Sequence, residues 1–199
     1  MSTCADKVFD MPLLIGNGKS VLEKTCGPTI DKFKTVARFN NFRLRGYEEY
    51  VGKRLTHFVL RGCDDVNLYS LGERQKAIVF CTYCRYTRSM ERVARQIQGH
   101  YGSKCKTISP AICKKTGDKL HLDQPHREWC SVGVLAIDYF LCSHPQIILH
   151  GFDGLRGDTL EKYFSKPKDG HFHNFAKEQK YIRGLQDSGK ILLLRDIAR

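Results

Sequence analysis

The chain has 199 residues, 33 Lys and Arg against 21 Asp and Glu, a formal net charge of +12, and an ordinary 41% of hydrophobic residues. This is enough for one core and a single domain over 1–199, and no run approaches the ~18 apolar residues that a membrane span needs. The basic excess favours anionic partners, a nucleotide phosphate or an anionic membrane face; nucleic acid is disfavoured, because the basic residues are spread along the chain without an aromatic-basic array.

The apolar pattern alternates short runs with helical periods. In chain order, strands are expected at residues 11–15 (MPLLI), 35–39 (TVARF), 55–60 (LTHFVL), 77–81 (AIVFC), 147–150 (IILH) and 191–194 (ILLL). Helices are expected at residues 88–98, 132–141 and 175–185; the last sets Phe175, Ala176, Tyr181, Ile182 and Leu185 against a charged face. Strands alternating with helices imply an α/β fold: a Rossmann-like, mostly parallel sheet with helices on both faces. Residues 99–129 are polar, broken by Gly and Pro and rich in Lys and His, and read as a long connection or a mobile insert.

Nine cysteines form no paired CxxC units, and Cys81 with Cys84 has neither a second pair nor a His partner at zinc spacing. Neither a zinc site nor any other metal site is expected. The N-terminal residues show no leader pattern, so the expected location is a reducing cytoplasm, with peripheral contact to a membrane where the basic surface meets one.

Three stretches carry the candidate chemistry. The first, LLIGNGKS at residues 13–20, ends like a phosphate-binding P-loop, but Leu13 occupies the place of that motif's first glycine. What remains is a strand, Gly16-Asn17-Gly18, then a helix start, a corner where backbone amides can approach a phosphate closely. By itself such a corner serves equally as a plain strand-to-helix turn. The second stretch, residues 131–153, offers Ser131 and Gly133 at a helix start, where Ser131 is a ligand contact, an N-cap or both, and His150-Gly151 at a strand end. There His150 reads either as a ligand contact or as a satisfied core histidine. The third, residues 173–178 (HNFAKE), brings His173 and Glu178 in H-x-x-x-x-E spacing. Five residues apart, the two cannot pair on a helix, so Glu178 is expected to act through backbone or a helix start.

Taken together, these stretches resemble glycosyltransferase family 29, the sialyltransferases. GNG, Ile30-Asp31, Val36 to Asn41, Gly46-Tyr47-Glu48 and Val51 to His57 are similar to the large sialylmotif. Ser131-Val132-Gly133 and His150-Gly151-Phe152 stand where the small sialylmotif has Ser-Thr-Gly and Tyr-Gly-Phe, and His173 with Glu178 resembles the very small motif. The resemblance covers about residues 11–185 and implies a variant GT-A-like fold and an inverting transfer of sialic acid, or a related ulosonic acid such as Kdo, from a CMP-sugar to a glycan or glycolipid hydroxyl. It implies no cofactor beyond the CMP-sugar donor substrate, and no DxD motif is present to hold a metal.

Carried onto this sequence, the resemblance assigns Gly16, Asn17, Gly18, Asn40, Ser131, Gly133, His150 and Gly151 to donor binding, Lys162 and Tyr163 to phosphate contacts, and His173 to the role of base. Asn40 reads alternatively as a strand-end turn residue, and His171 competes with His173. Two departures stand out. Pro12 occupies about the place of a family cysteine, which leaves Cys142 without its implied partner, and Lys162 in EKYF stands where a motif histidine is expected. The second departure keeps another class open: a nucleotide- or polyanion-binding protein that retains the fold without transferase activity. Arg38 reads as a phosphate neutraliser or a surface pairing residue.

Overall fold

The computed structural model describes residues 7–61, 78–82, 95, 98–99, 105–122, 130–153, 162–163 and 173–197. Seven strands form one sheet: β1 (Leu13–Ile15), β2 (Val36–Phe39), β3 (His57–Arg61), β4 (Ile78–Thr82), β5 (Cys105–Ile108), β6 (Ile147–His150) and β7 (Ile191–Leu193). The order is β5-β4-β3-β2-β1-β6-β7, and every pairing is parallel. The helices are α1 (Gly27–Ile30), α2 (Glu48–Val51), α3 (Pro110–Lys119), α4 (Val132–Leu141), α5 (Phe175–Asp187) and α6 (Leu194–Ile197), with a 3-10 turn over Lys19–Glu23. None of the described helices is long and apolar enough to cross a membrane.

Parallel strands need crossovers, and crossovers cover both faces of the sheet, so the strands read as continuous apolar runs. The two-residue alternation then divides the core. Leu14, Ala37, Val59, Ile147 and Leu149 pack on one side with Leu135, Phe140 and Ile182 from α4 and α5, while Leu13, Ile15, Val36 and Ile148 pack on the other with Ile30, Phe33 and Leu194. The expected α/β architecture is what forms, and the sheet is parallel throughout.

The helix starts are set by local chemistry. Ser109 caps α3 by accepting from the Ala111 amide at 3.2 Å with Pro110 in its first turn, and Ser131 caps α4 by accepting from the Val134 amide at 3.3 Å. Asn174 caps α5 through the Lys177 amide at 3.1 Å. The 132–141 helix and the 147–150 strand fall where the sequence puts them, whereas the 99–129 stretch, read as a connection, contains strand β5 and helix α3. The helix expected at residues 88–98 falls almost entirely outside the described residues.

Arg38 is neither of the two things its sequence suggests. It lies on β2 at 1% exposure, its Nε donates to the Arg54 carbonyl at 3.1 Å, and its Nη2 donates to the carbonyls of Val51 and Gly52. Burial lowers its pKa to about 10, which leaves the guanidinium charged at neutral pH. It pins the end of α2 to the sheet.

Candidate functional site

Strand order reverses between β1 and β6: from β1 the chain moves outward through β2 to β5, and it returns on the other side with β6 and β7. Open α/β sheets bind ligands outside the carboxyl ends of the strands at such a point, where successive crossovers diverge and leave a crevice. The residues that follow β1 and β6 are Gly16-Asn17-Gly18 and Gly151-Phe152-Asp153, so two of the three sequence stretches meet here.

The corners are in backbone contact. The Gly16 amide donates to the His150 carbonyl at 2.7 Å, and the Gly18 amide donates to the Gly151 carbonyl at 3.0 Å. A Cβ on Gly16 would stand 2.3 Å from the Gly151 oxygen, and Gly151 itself has a φ of +71°, so both positions require glycine. Asp153 completes the corner. Its Oδ2 accepts from the Ser20 amide at 2.9 Å and its Oδ1 from the Ser20 hydroxyl, which anchors the 3-10 turn to the end of β6.

Asn17 bridges to the neighbouring strand. Its Nδ2 donates to the carbonyls of Phe39 at 3.1 Å and Asn41 at 3.2 Å, which uses both amide protons and leaves the side-chain oxygen as an acceptor. Asn40 lies between those two carbonyls in the left-handed region, with a φ of +46° that Asn tolerates better than most residues, and its amide donates to the Val59 carbonyl at 2.9 Å. The structure therefore unites both asparagines of the first motif, and Asn40 is a strand-end turn residue as well.

Lys162 and Tyr163 cross over the same corner. Gly18 and Lys162 form an antiparallel bridge, and the Tyr163 amide donates to the Asn17 carbonyl at 3.0 Å. The Tyr163 hydroxyl accepts from the Arg43 amide at 3.1 Å and donates to the Arg43 carbonyl, while its ring meets Tyr47 edge-on at 5.0 Å. Tyr163 is buried and fixes the strap, whereas the Lys162 side chain is exposed.

Ser131 and Gly133 reach the site through Phe152. A Cβ on Gly133 would lie 3.0 Å from the Phe152 ring, a Cβ on Gly16 would lie 3.2 Å from it, and the ring also packs edge-on against Phe39 at 5.7 Å. The start of α4 is thus set beside the glycine corner.

His173 precedes the cap of α5, with its ring 5.6 Å from that of Phe175. Glu178, one turn into α5 and 5% exposed, accepts from the Ser131 amide at 2.6 Å. As its spacing implies, Glu178 serves a helix start, not His173. Burial raises its pKa to about 7, against the lowering effect of the Ser131 hydrogen bonds. Through this bond, the helix that carries His173 at its start is tied to the cap of α4.

His150 is placed differently from the other candidates. Its carbonyl supports Gly16, and its imidazole is buried, with Nε2 making no hydrogen bond. Burial, then the charge of Arg38, lowers its pKa to about 4, so the ring is neutral at pH 7.

Sequence reasoning left Phe152, Asp153 and Glu178 outside the list of site residues. The available signal was position: Phe152 and Asp153 directly follow the glycine of the β6 corner. Among the described residues, no group of three or more His, Cys, Asp or Glu could hold a metal ion.

The profile of glycosyltransferase family 29 (sialyltransferase) matches residues 12–63, which run from β1 through the glycine corner and Asn40 to just past β3. Among curated proteins none matches the sequence. The fold is similar to a mammalian sialyltransferase, with a TM-score of 0.72 at 21% identity, covering 93% of this chain and 69% of the other. A mammalian sialyltransferase in complex with Gal-beta-1-3GalNAc-ortho-nitrophenol gives a TM-score of 0.69 at 20% identity, covering 93% of this chain and 69% of that one. A variant of the sialyltransferase CST-II in complex with CMP gives 0.55 at 15% identity, covering 92% and 79%. The family profile thus falls on the switch-point corner, and the fold is shared with solved sialyltransferases over nearly the whole chain.

Proposed function

We propose that the protein is an inverting, metal-independent glycosyltransferase that moves sialic acid, or a related ulosonic acid, from a CMP-sugar to a glycan hydroxyl. The observation that carries this reading is the coincidence of two things: the family profile covers the segment that builds the glycine corner, and the corner lies at the sheet's switch point. Fold likeness to a sialyltransferase solved with CMP supports the donor class, and likeness to one solved with a Gal-beta-1-3GalNAc compound supports a glycan acceptor.

The chemistry asks little of a metal. Transfer from a CMP-linked ulosonic acid develops positive charge at the anomeric carbon while a phosphate of low basicity departs, so the main needs are charge stabilisation and a base for the acceptor hydroxyl. The Asn17 backbone amide and the exposed Lys162 ammonium receive the phosphate, and the Asn17 side-chain oxygen accepts from the nucleoside, while the Gly16 and Gly18 amides, held by the His150 and Gly151 carbonyls, set the shape of the corner. Ser131 and Gly133 bound the same crevice from the start of α4. His173 takes the acceptor proton, an imidazole's natural task near neutral pH. Glu178 holds the start of α4 in place by its bond to Ser131.

The first test is titration of the protein with CMP against UMP, AMP and GMP by calorimetry or thermal shift. Selective stabilisation by CMP, weakened by Asn17→Ala, is the expected result; no preference for cytidine would overturn the donor assignment. Transfer and donor hydrolysis then separate catalysis from binding, and both are expected to vanish in His173→Ala with CMP binding retained. Lys162, standing at the place of a motif histidine, favours a second reading, a CMP-binding protein without transfer. CMP affinity with no turnover in the native protein would select it.

A further inference from the structure

Three backbone segments close into one hydrogen-bonded ring at the glycine corner. The Asn17 side chain donates to the Phe39 and Asn41 carbonyls at 3.1 and 3.2 Å, the Tyr163 amide donates to the Asn17 carbonyl at 3.0 Å, and the Tyr163 hydroxyl accepts from the Arg43 amide at 3.1 Å and donates to the Arg43 carbonyl. Residues 39–43, 16–18 and 162–163 are thereby held together, with Tyr163 buried at the junction. Arg43 belongs to this ring through its backbone and is exposed. Among the described residues its guanidinium has no hydrogen bond and no ion pair. Its charge nonetheless reaches the junction: burial raises the Tyr163 pKa, and Arg43 is one of the charges that act to lower it.

A CMP-linked ulosonic acid carries two anionic groups on one carbon, because the anomeric carbon that bears the phosphate also bears a carboxylate. Lys162 and the Asn17 amide answer the phosphate in the reading above, which leaves the carboxylate without a counter-charge. The ring supplies the cationic side chains of Lys162 and Arg43 and no acid; Asp153, which lies against Gly18, gives both its oxygens to Ser20. A guanidinium is a planar fork that meets a carboxylate with two parallel N–H···O bonds, whereas an ammonium is a point charge that serves a phosphate well. Arg45 is exposed too, but it precedes the Gly46 turn, where φ is +85° and the chain has left the ring.

We propose that Arg43 selects the donor sugar by its acid group: its guanidinium receives the carboxylate on the anomeric carbon while Lys162 receives the phosphate. This rests on the CMP-sugar reading of the corner and names the substrate class of that same site, sugars with a carboxylate on the reacting carbon as against neutral sugars. Arg43 makes and breaks no bond in the transfer; it adds affinity for the acid and fixes the orientation of the sugar. A site built around a charged partner rejects the analogue that lacks it, because the cation loses water and gains no acceptor.

The test is calorimetric titration of the full chain, without acceptor, with CMP, with CMP-sialic acid and with CMP-sialic acid methylated at that carboxylate. The native protein is expected to bind the acid about tenfold more tightly than the methyl ester, the scale of a charge-assisted hydrogen bond. Arg43→Ala is expected to weaken the acid to the level of the ester and to leave CMP affinity unchanged. Arg43→Lys, which keeps the charge without the fork, should recover part of the preference, and Arg45→Ala should keep all of it. Arg43 meets Tyr163 through its backbone alone, so these variants retain the hydrogen bonds of the ring. Equal binding of acid and ester by the native protein, a preference that survives Arg43→Ala, an equal loss in Arg45→Ala, or a loss of CMP affinity that matches the loss for the acid would overturn the proposal and leave the donor reading standing. A native protein that binds no CMP would overturn both.

Discussion

Helices α4 and α5 are joined by a buried carboxylate at each end of their contact. At one end Asp138 of α4 accepts from the Thr116 hydroxyl at 2.7 Å, the Lys119 ammonium at 2.8 Å and the Tyr181 hydroxyl at 2.5 Å, which ties three helices together. At the other end Glu178 of α5 meets only Ser131. Both are 5% exposed, so burial does not distinguish them; the number and charge of their partners do. A carboxylate with a cation and two hydroxyls is a structural joint. A carboxylate with a single neutral partner keeps much of its desolvation penalty, and its pKa rises to about 7. Glu178 lies against the helix start that borders the candidate site, and the joint at Asp138 lies away from it.

The largest expected effect comes from breaking the saturated joint. Asp138→Ala removes the acceptor that Thr116, Tyr181 and Lys119 share, leaving Thr116 only the Ile112 carbonyl and Lys119 only the Tyr181 hydroxyl, and should cost about 3 kcal/mol in chemical denaturation, the low end for a broken buried pair because Lys119 is partly exposed. A loss below about 1 kcal/mol would mean that the joint contributes little. Tyr181→Phe removes one of the three bonds and should cost about 1.5 kcal/mol, since the acceptor is charged. Denaturation midpoints that do not rank these two variants in this order would break the comparison at the Asp138 end.

Glu178 is expected to act on pH dependence more than on stability itself. Its folded pKa, near 7, lies above the 4.5 of an unperturbed glutamate, so the folded state holds the proton more tightly. Its stabilising contribution is therefore complete below pH 4.5 and is lost as pH rises through 7. Glu178→Gln keeps an acceptor for the Ser131 amide and should flatten that fall, as read from denaturation midpoints across the range. An unchanged pH slope would mean that Glu178 does not carry the pH dependence. The smallest effect is on the solvent side of α3: Lys114 and Asp118 form an exposed i,i+4 pair at 2.8 Å, and Lys114→Ala should shift stability by no more than about 0.5 kcal/mol.

How much of this was legible in the sequence differs from element to element. Strand β6 and helix α4 match their sequence expectation in full, because a central strand covered on both faces and a helix apolar through most of its turns write their burial directly into composition. Strand β5 and helix α3 were not foreseen. Among the described residues β5 pairs on one side only, with β4, and it exposes Lys106, while α3 is polar along most of its length, so neither shows a strong apolar period. Ser109-Pro110 was a readable start signal for α3 that the polarity around it obscured.

The sequence alone determined the parallel α/β class, the glycine corner and the families of residue that gather there, because these depend on local patterns: apolar runs, glycines at strand ends, and Ser, Asn or His at helix starts. Only the tertiary structure decided that Asp153 anchors Ser20 across 133 residues, that Glu178 reaches Ser131 rather than His173, that Arg38 is buried among carbonyls, and that the His150 ring is buried while its carbonyl serves the corner. Each of those outcomes is set by which strands become neighbours, and strand order is fixed by the packing of the whole core, which no local window of sequence contains.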